Sequence, residues 1–122
     1  MLSPTMTIIY VDSPERSADF YQRLLGAEPV ELSPTFAMFV FNNGFKLAMW
    51  SKHTVEPAAK AVGGGTEICF VCQQPEQVDD IYQQWLAKGL TIAQHPLEMD
   101  FGYTFVAEDP DGHRLRVYKL NE

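Results

Sequence analysis

Positive charge is scarce in this sequence: nine Lys and Arg stand against sixteen Asp and Glu, a formal net charge of −7. A nucleic-acid partner needs a clustered basic surface to neutralise phosphates, and none is visible. The same sign disfavours anionic membranes. Long apolar runs are missing too, and none approaches the roughly 20 residues that span a bilayer. The start, Met1-Leu2-Ser3-Pro4, lacks a basic region followed by an apolar stretch. No signal peptide is read there, and the cytoplasm is the expected compartment.

Cysteine is limited to Cys69 and Cys72, spelled Cys-x-x-Cys. A redox or zinc pair wants a turn or a helix start, where two sulfurs converge. Here Ile68-Cys69-Phe70-Val71-Cys72 reads as a buried strand, and positions three apart on a strand point to opposite faces. Structural thiols are expected. Histidine is equally sparse: His53, His95 and His113 fall in unrelated contexts.

What is present is a 122-residue chain, 46% apolar and 12% aromatic, long enough for one domain or two small modules. Thr5 to Val11 is β-branched and aromatic, a strand signal. Asp12-Ser13-Pro14-Glu15 then opens a helix, Ala18, Tyr21, Leu24 and Leu25 recur at helical spacing, and Gly26 closes it. Three strand-like runs follow, at Pro29–Leu32, Phe36–Phe41 and Phe45–Trp50, the last two joined by Asn42-Asn43-Gly44.

The same order recurs. Glu67–Cys72 reads as a strand, and Gln74-Pro75-Glu76 opens a helix carrying Val78, Ile81, Tyr82, Trp85 and Leu86. Strands follow near Thr91–Gln94, Tyr103–Ala107 and His113–Tyr118, with Asp109-Pro110-Asp111-Gly112 as the final turn. Pro14 and Pro75, Glu15 and Glu76, and Tyr21 and Tyr82 are each 61 positions apart. One constant offset through strand, proline and helix points to an internal duplication. The expected fold is α+β, a single domain over residues 1–122 made of two tandem βαβββ modules. Module one covers about 5–55 and module two about 66–120, with a flexible joint at 56–65 that ends Gly63-Gly64-Gly65.

Two stretches carry a family resemblance. One is Val11 to Gly26, with Arg16-Ser17, Phe20-Tyr21 and Leu24-Leu25-Gly26; the other is Asp109-Pro110-Asp111-Gly112 and the strand after it. With the tandem βαβββ order, the chain resembles the vicinal oxygen chelate superfamily of glyoxalases, bleomycin-resistance proteins and extradiol dioxygenases. The resemblance implies strands curled into a cup with helices outside. In the family's enzymes a metal sits in that cup, held from the first and last strands of each module. Carried over, those positions fall on Met6 and Glu67, and on Ala48 and Arg116. A hard divalent ion wants oxygen or imidazole donors. A thioether, a methyl and a permanent cation beside one carboxylate do not supply them, so no metal and no other cofactor is expected.

Strand alternation sends Met6, Ile8, Tyr10, Lys46, Ala48, Trp50, Glu67, Cys69, Val71, Arg114, Arg116 and Tyr118 toward the cup. Thr7, Ile9, Val11, Phe45, Leu47, Met49, Leu115 and Val117 then meet the helices. Parity leaves the orientation of Phe36, Phe39 and Phe41 open, since their strand is apolar on both faces. Leu97–Thr104, with Phe101 and Tyr103, reads as a loop able to close over the mouth. The expected ligand-binding set is therefore Trp50, Arg116, Glu67, Met6, Ile8, Ala48, Tyr118, Tyr103 and Phe39, with no catalytic residue. Aromatic walls with sparse polar groups suit a flat organic molecule. Arg116 could meet a ligand carboxylate through its planar fork or pair with Glu67.

Tyr10-Val11, Glu15-Arg16-Ser17, Ala48-Met49-Trp50-Ser51 and Asp109 to His113 resemble the phenazine-antibiotic resistance proteins, which bind a planar aromatic acid without altering it. The expected function is thus metal-free sequestration of a planar, aromatic, anionic small molecule. The alternatives are a glyoxalase-like enzyme (lyase, epimerase or thiol transferase) and a metal-free enzyme using Glu67 as a base with a burial-raised pKa. A homodimer is expected, because family modules pair across a two-fold and the joint would permit swapping. The only other expected partner is the small aromatic ligand.

Overall fold

In the computed structural model, which describes Met1 to Glu122, the chain divides into two units, Met1–Val62 and Gly63–Glu122. The first runs β1 (Thr7–Val11), α1 (Pro14–Leu25), β2 (Glu31–Leu32), β3 (Phe36–Val40) and β4 (Lys46–Ser51). The second runs β5 (Glu67–Val71), α2 (Pro75–Ala87), β6 (Thr91–Met99), β7 (Gly102–Glu108) and β8 (Arg114–Leu120). Both are βαβββ, and the fold is α+β, as the repeat implied.

Each helix begins and ends where its sequence dictates. Ser13 Oγ accepts from the Arg16 amide at 3.2 Å, and Pro14, which has no N–H to leave unsatisfied, fills the first helical position. Gly26 takes a left-handed φ of 72°, which lets its amide donate to the Gln22 carbonyl at 2.9 Å. In α2 the Gln77 side chain replaces a Ser cap, accepting from the Gln73 and Gln74 amides at 2.8 and 2.9 Å.

Sheet topology repeats as the sequence does. The strand orders are β1-β4-β3-β2 and β5-β8-β7-β6, and in each the first strand runs parallel to the last while the other pairs are antiparallel. Helix α1 packs on β3 and β4, burying Ala18 and Tyr21 with Val11, Ala37, Phe39, Leu47 and Met49. Helix α2 packs on β6, β7 and β8; Trp85 meets Phe70 and Phe105 edge-on, at 5.7 and 5.5 Å between ring centroids. Leu115 and Val117 are fully buried. The alternation expected for β1, β4 and β8 holds within the strands from Ile9, Leu47 and Leu115 onward, whereas Thr7 and Phe45, expected against the helices, are exposed.

Two expectations need correction. Leu97–Thr104 is not a loop, because β6 continues to Met99 and only Asp100 and Phe101 turn the chain into β7. Proline cannot donate to a ladder, so His95-Pro96 reads as a break; at a sheet edge it is tolerated, and β6 is an edge strand whose register shifts on both sides of Gln94. Nor is β5 buried on both faces: Glu67, Cys69 and Val71 are exposed, while Cys72, just past the strand, is buried.

Candidate functional site

A four-stranded sheet with one helix has a second face, and in both units that face carries most of the expected site residues. In the first unit, Ile8 and Tyr10 of β1, Ala48 and Trp50 of β4, and Phe36 and Met38 of β3 lie side by side in register: Ile8 beside Ala48, Tyr10 beside Trp50, Met38 beside Ala48 and Phe36 beside Trp50. Trp50 is half-buried and meets the Phe36 ring edge-on, at 6.2 Å and 85°. Ile8 keeps 37% of its surface exposed, whereas Ala48 keeps none. Ala48 is therefore a floor between Ile8 and Met38 rather than a contact surface. Met6 precedes β1, is 42% exposed, and lines a shallow recess with Pro4, Asn43, Phe45 and Lys46.

Phe39 does not belong to this face. It pairs laterally with Leu47, is fully buried, and lies in the layer beneath α1. Phe36 and Met38 take the open positions instead, an assignment that a strand apolar on both sides could not reveal.

In the second unit the open face is polar and built around Arg116. Its Nε and Nη2 donate to the two carboxylate oxygens of Glu67, at 2.8 and 2.9 Å. Its Nη1 donates to Thr104 Oγ1 at 3.2 Å and to Gln94 Oε1 at 3.4 Å. Thr104 is fully buried, and its hydroxyl donates to the Val117 carbonyl at 2.8 Å. Four strands thus converge on one guanidinium: β5 with Glu67, β6 with Gln94, β7 with Thr104 and β8 with Arg116 itself. Four of its five N–H donors are engaged, so the fork that could have met a ligand carboxylate meets Glu67.

This pairing also favours the charged form of Glu67. The Arg116 hydrogen bonds hold its carboxyl below the usual range against the opposing effect of burial, and Glu67 in turn raises Arg116. The shift is opposite in direction to the burial-raised base expected from the sequence. Beside it, Cys69 is pushed up, first by desolvation and then by the Glu67 charge, so the thiol is the stable form.

Above the guanidinium sits Phe101, from the β6–β7 turn. The Arg116 Cζ lies over its ring, 5.8 Å from the centroid, and Tyr118 meets it edge-on at 6.4 Å. The turn backbone is held, since the Asn121 amide donates to the Phe101 carbonyl at 2.9 Å and Asn121 Nδ2 to the Asp100 carbonyl at 3.2 Å. Sequence reasoning placed Phe101 only in a supposed loop; Thr104 and Gln94 it did not single out. The alternation Thr104-Val106 in β7 was the signal for the former, and nothing in a bulged edge strand marked the latter.

Tyr103 faces the other way. Its hydroxyl donates to Asp79 Oδ1 of α2 at 2.6 Å, on the helix-covered side, which removes it from the ligand-binding set. That bond pushes the Tyr103 pKa up to about 12.

The residues at the family's metal positions do not fit a hard divalent ion. Met6 offers a thioether, Ala48 offers nothing, and both Glu67 oxygens bind a guanidinium. The histidines are engaged elsewhere: His53 Nε2 lies 2.7 Å from Asp12 Oδ1, His95 Nδ1 lies 2.6 Å from the Tyr82 hydroxyl, and His113 is buried behind the Asp109 turn. No three His, Cys, Asp or Glu side chains cluster.

Comparison with known proteins places the fold. The chain is 32% identical, over 98% of its length and 94% of the relative's, to the phenazine antibiotic resistance protein EhpR of Enterobacter agglomerans. It is 52% identical to an Agrobacterium tumefaciens protein whose solution NMR structure superposes with a TM-score of 0.93, covering all of both chains. Lactoylglutathione lyase from the same bacterium, 21% identical over 96% of this chain and 92% of that one, shares the fold with a TM-score of 0.77. Residues 3–117 match the model of one family, and this chain belongs to it: the Glyoxalase/Bleomycin resistance protein/Dioxygenase superfamily.

Proposed function

We propose that this protein binds a planar aromatic small molecule of the phenazine type and holds it chemically unchanged. The observation that carries this reading is the Arg116–Glu67 pair: where family enzymes place metal donors, this chain has a neutralised ion pair with no free base and no open coordination. Within the first unit, the half-buried indole of Trp50, with Phe36, Ile8 and Met38, is a flat apolar surface of the kind such a guest requires. The relative named for phenazine antibiotic resistance supports the same ligand class. A homodimer is part of this proposal, supported by the duplicated modules and the glycine-rich joint, and light scattering in solution tests it.

Titration of the protein with phenazine-1-carboxylic acid, followed by Trp fluorescence and by mass analysis of the recovered ligand, tests the function. Saturable quenching with the ligand recovered intact is expected. Trp50→Ala is expected to weaken binding by about tenfold, on the order of 1.4 kcal/mol. No saturable binding, or conversion of the ligand at a rate above that in buffer, overturns the reading.

A further inference from the structure

We infer that Arg116 recognises its guest through the face of its guanidinium rather than through its fork, and that Phe101 is a built-in occupant of that seat. This rests on the proposed function above and specifies the ligand: a planar π-system whose binding needs no acid group.

Three observations lead here. First, the donor edge of Arg116 is closed, with both Glu67 oxygens, Thr104 and Gln94 taking four N–H groups. A ligand carboxylate arriving there would meet the Glu67 charge and could capture at most one hydrogen. Second, these partners come from three neighbouring strands and hold the cation in a fixed orientation, with only 16% of its side chain exposed. An immobilised, desolvated cation strengthens a cation–π contact. Third, the cation already has an aromatic neighbour: its Cζ lies over the Phe101 ring, 5.8 Å from the centroid. Phe101 keeps 39% of its surface exposed, and its backbone is tied by Asn121, so the side chain is the part free to move. A tethered ring on a cation is a competitor at high effective concentration. A guest ring displaces it by a change of rotamer, exchanging one π-face for a larger one while the ion pair beneath stays intact.

The test compares unsubstituted phenazine with phenazine-1-carboxylic acid on the wild-type protein and on Phe101→Ala, by Trp fluorescence titration. The two probes are expected to bind the wild type within about threefold of each other, because no fork awaits the carboxylate. Phe101→Ala is expected to bind both about two- to fivefold more tightly, since the competitor is gone, whereas Phe101→Trp binds them more weakly. A Phe101→Ala variant that is folded by circular dichroism yet binds less tightly makes Phe101 a wall of the site and overturns the inference. An acid bound more than tenfold tighter than phenazine overturns it as well, while leaving the proposed function standing. Binding of neither probe to any variant removes both.

Discussion

Tyr103 and Asp79 are joined by a 2.6 Å hydrogen bond that ties β7 to α2, and the tie depends on the phenol keeping its proton. The folded-state pKa of Tyr103 is pushed up to about 12, above the ordinary tyrosine value near 10. A group with a raised folded pKa contributes stability that is complete below its unfolded pKa and is lost as pH climbs through the folded one. Tyr103→Phe is therefore expected to lower stability by about 0.5–1 kcal/mol at pH 8. The gap between variant and wild type closes between pH 10 and 12. Urea midpoints across that range check it, and a pH-independent gap contradicts it.

The Arg116–Glu67 pair works in the opposite direction. Arg116 depresses Glu67, so the stabilisation is present above the ordinary carboxylate range, near pH 4.3, and is lost as pH falls through the lowered folded value. Glu67→Gln leaves a half-buried cation without its partner and is expected to cost about 1–3 kcal/mol at pH 7, between the values for exposed and buried pairs. As pH falls through that lowered folded value, the variant and the wild type are expected to converge in denaturant titrations.

Metal ions are expected to leave the protein unaffected. After incubation with excess Ni²⁺, Zn²⁺ or Mn²⁺ and desalting, elemental analysis should find well below one equivalent, and chelator should leave Tm unchanged. One tightly retained equivalent contradicts the donor chemistry at Met6, Ala48 and Arg116.

Gly102 begins β7 at a φ of 153°, where an added Cβ would overlap the Lys119 carbonyl oxygen on β8 and crowd Leu120 Cα. Both neighbours are backbone and cannot yield. Gly102→Ala is expected to cost about 2–3 kcal/mol, on the order of 10 °C in Tm. Gly65→Ala, which meets nothing within 4 Å, is expected to change Tm little.

How much of this was legible in the sequence follows from which signals are local. Helix boundaries were, because Ser13-Pro14 and Gly26 act within one turn. Strand faces were legible wherever apolar and polar residues alternate, as in Leu115-Arg116-Val117-Tyr118. Where both faces are apolar, as around Phe39, the pattern is silent and only the helix laid against one side decides. The partners of Arg116 come from strands 12, 22 and 49 residues away, so its commitment to Glu67 could be named as a candidate pairing but not chosen over a ligand. Tyr103 was misplaced because Pro96 hid the continuation of β6, which in turn hid the parity of β7.

The broken register of β6 has a further consequence for the protein in concentrated solution. A regular outer strand offers a ladder of bare amides and carbonyls on which a neighbouring molecule can extend its own sheet. Here Pro96 removes one rung and two shifts throw the others out of step, while β2, at the rim of the other sheet, is only two residues long. These two edges, β6 and β2, are therefore poor templates for strand-by-strand growth. Straightening β6, by replacing Pro96 with a β-branched residue such as valine, would create the sticky border that the native chain avoids.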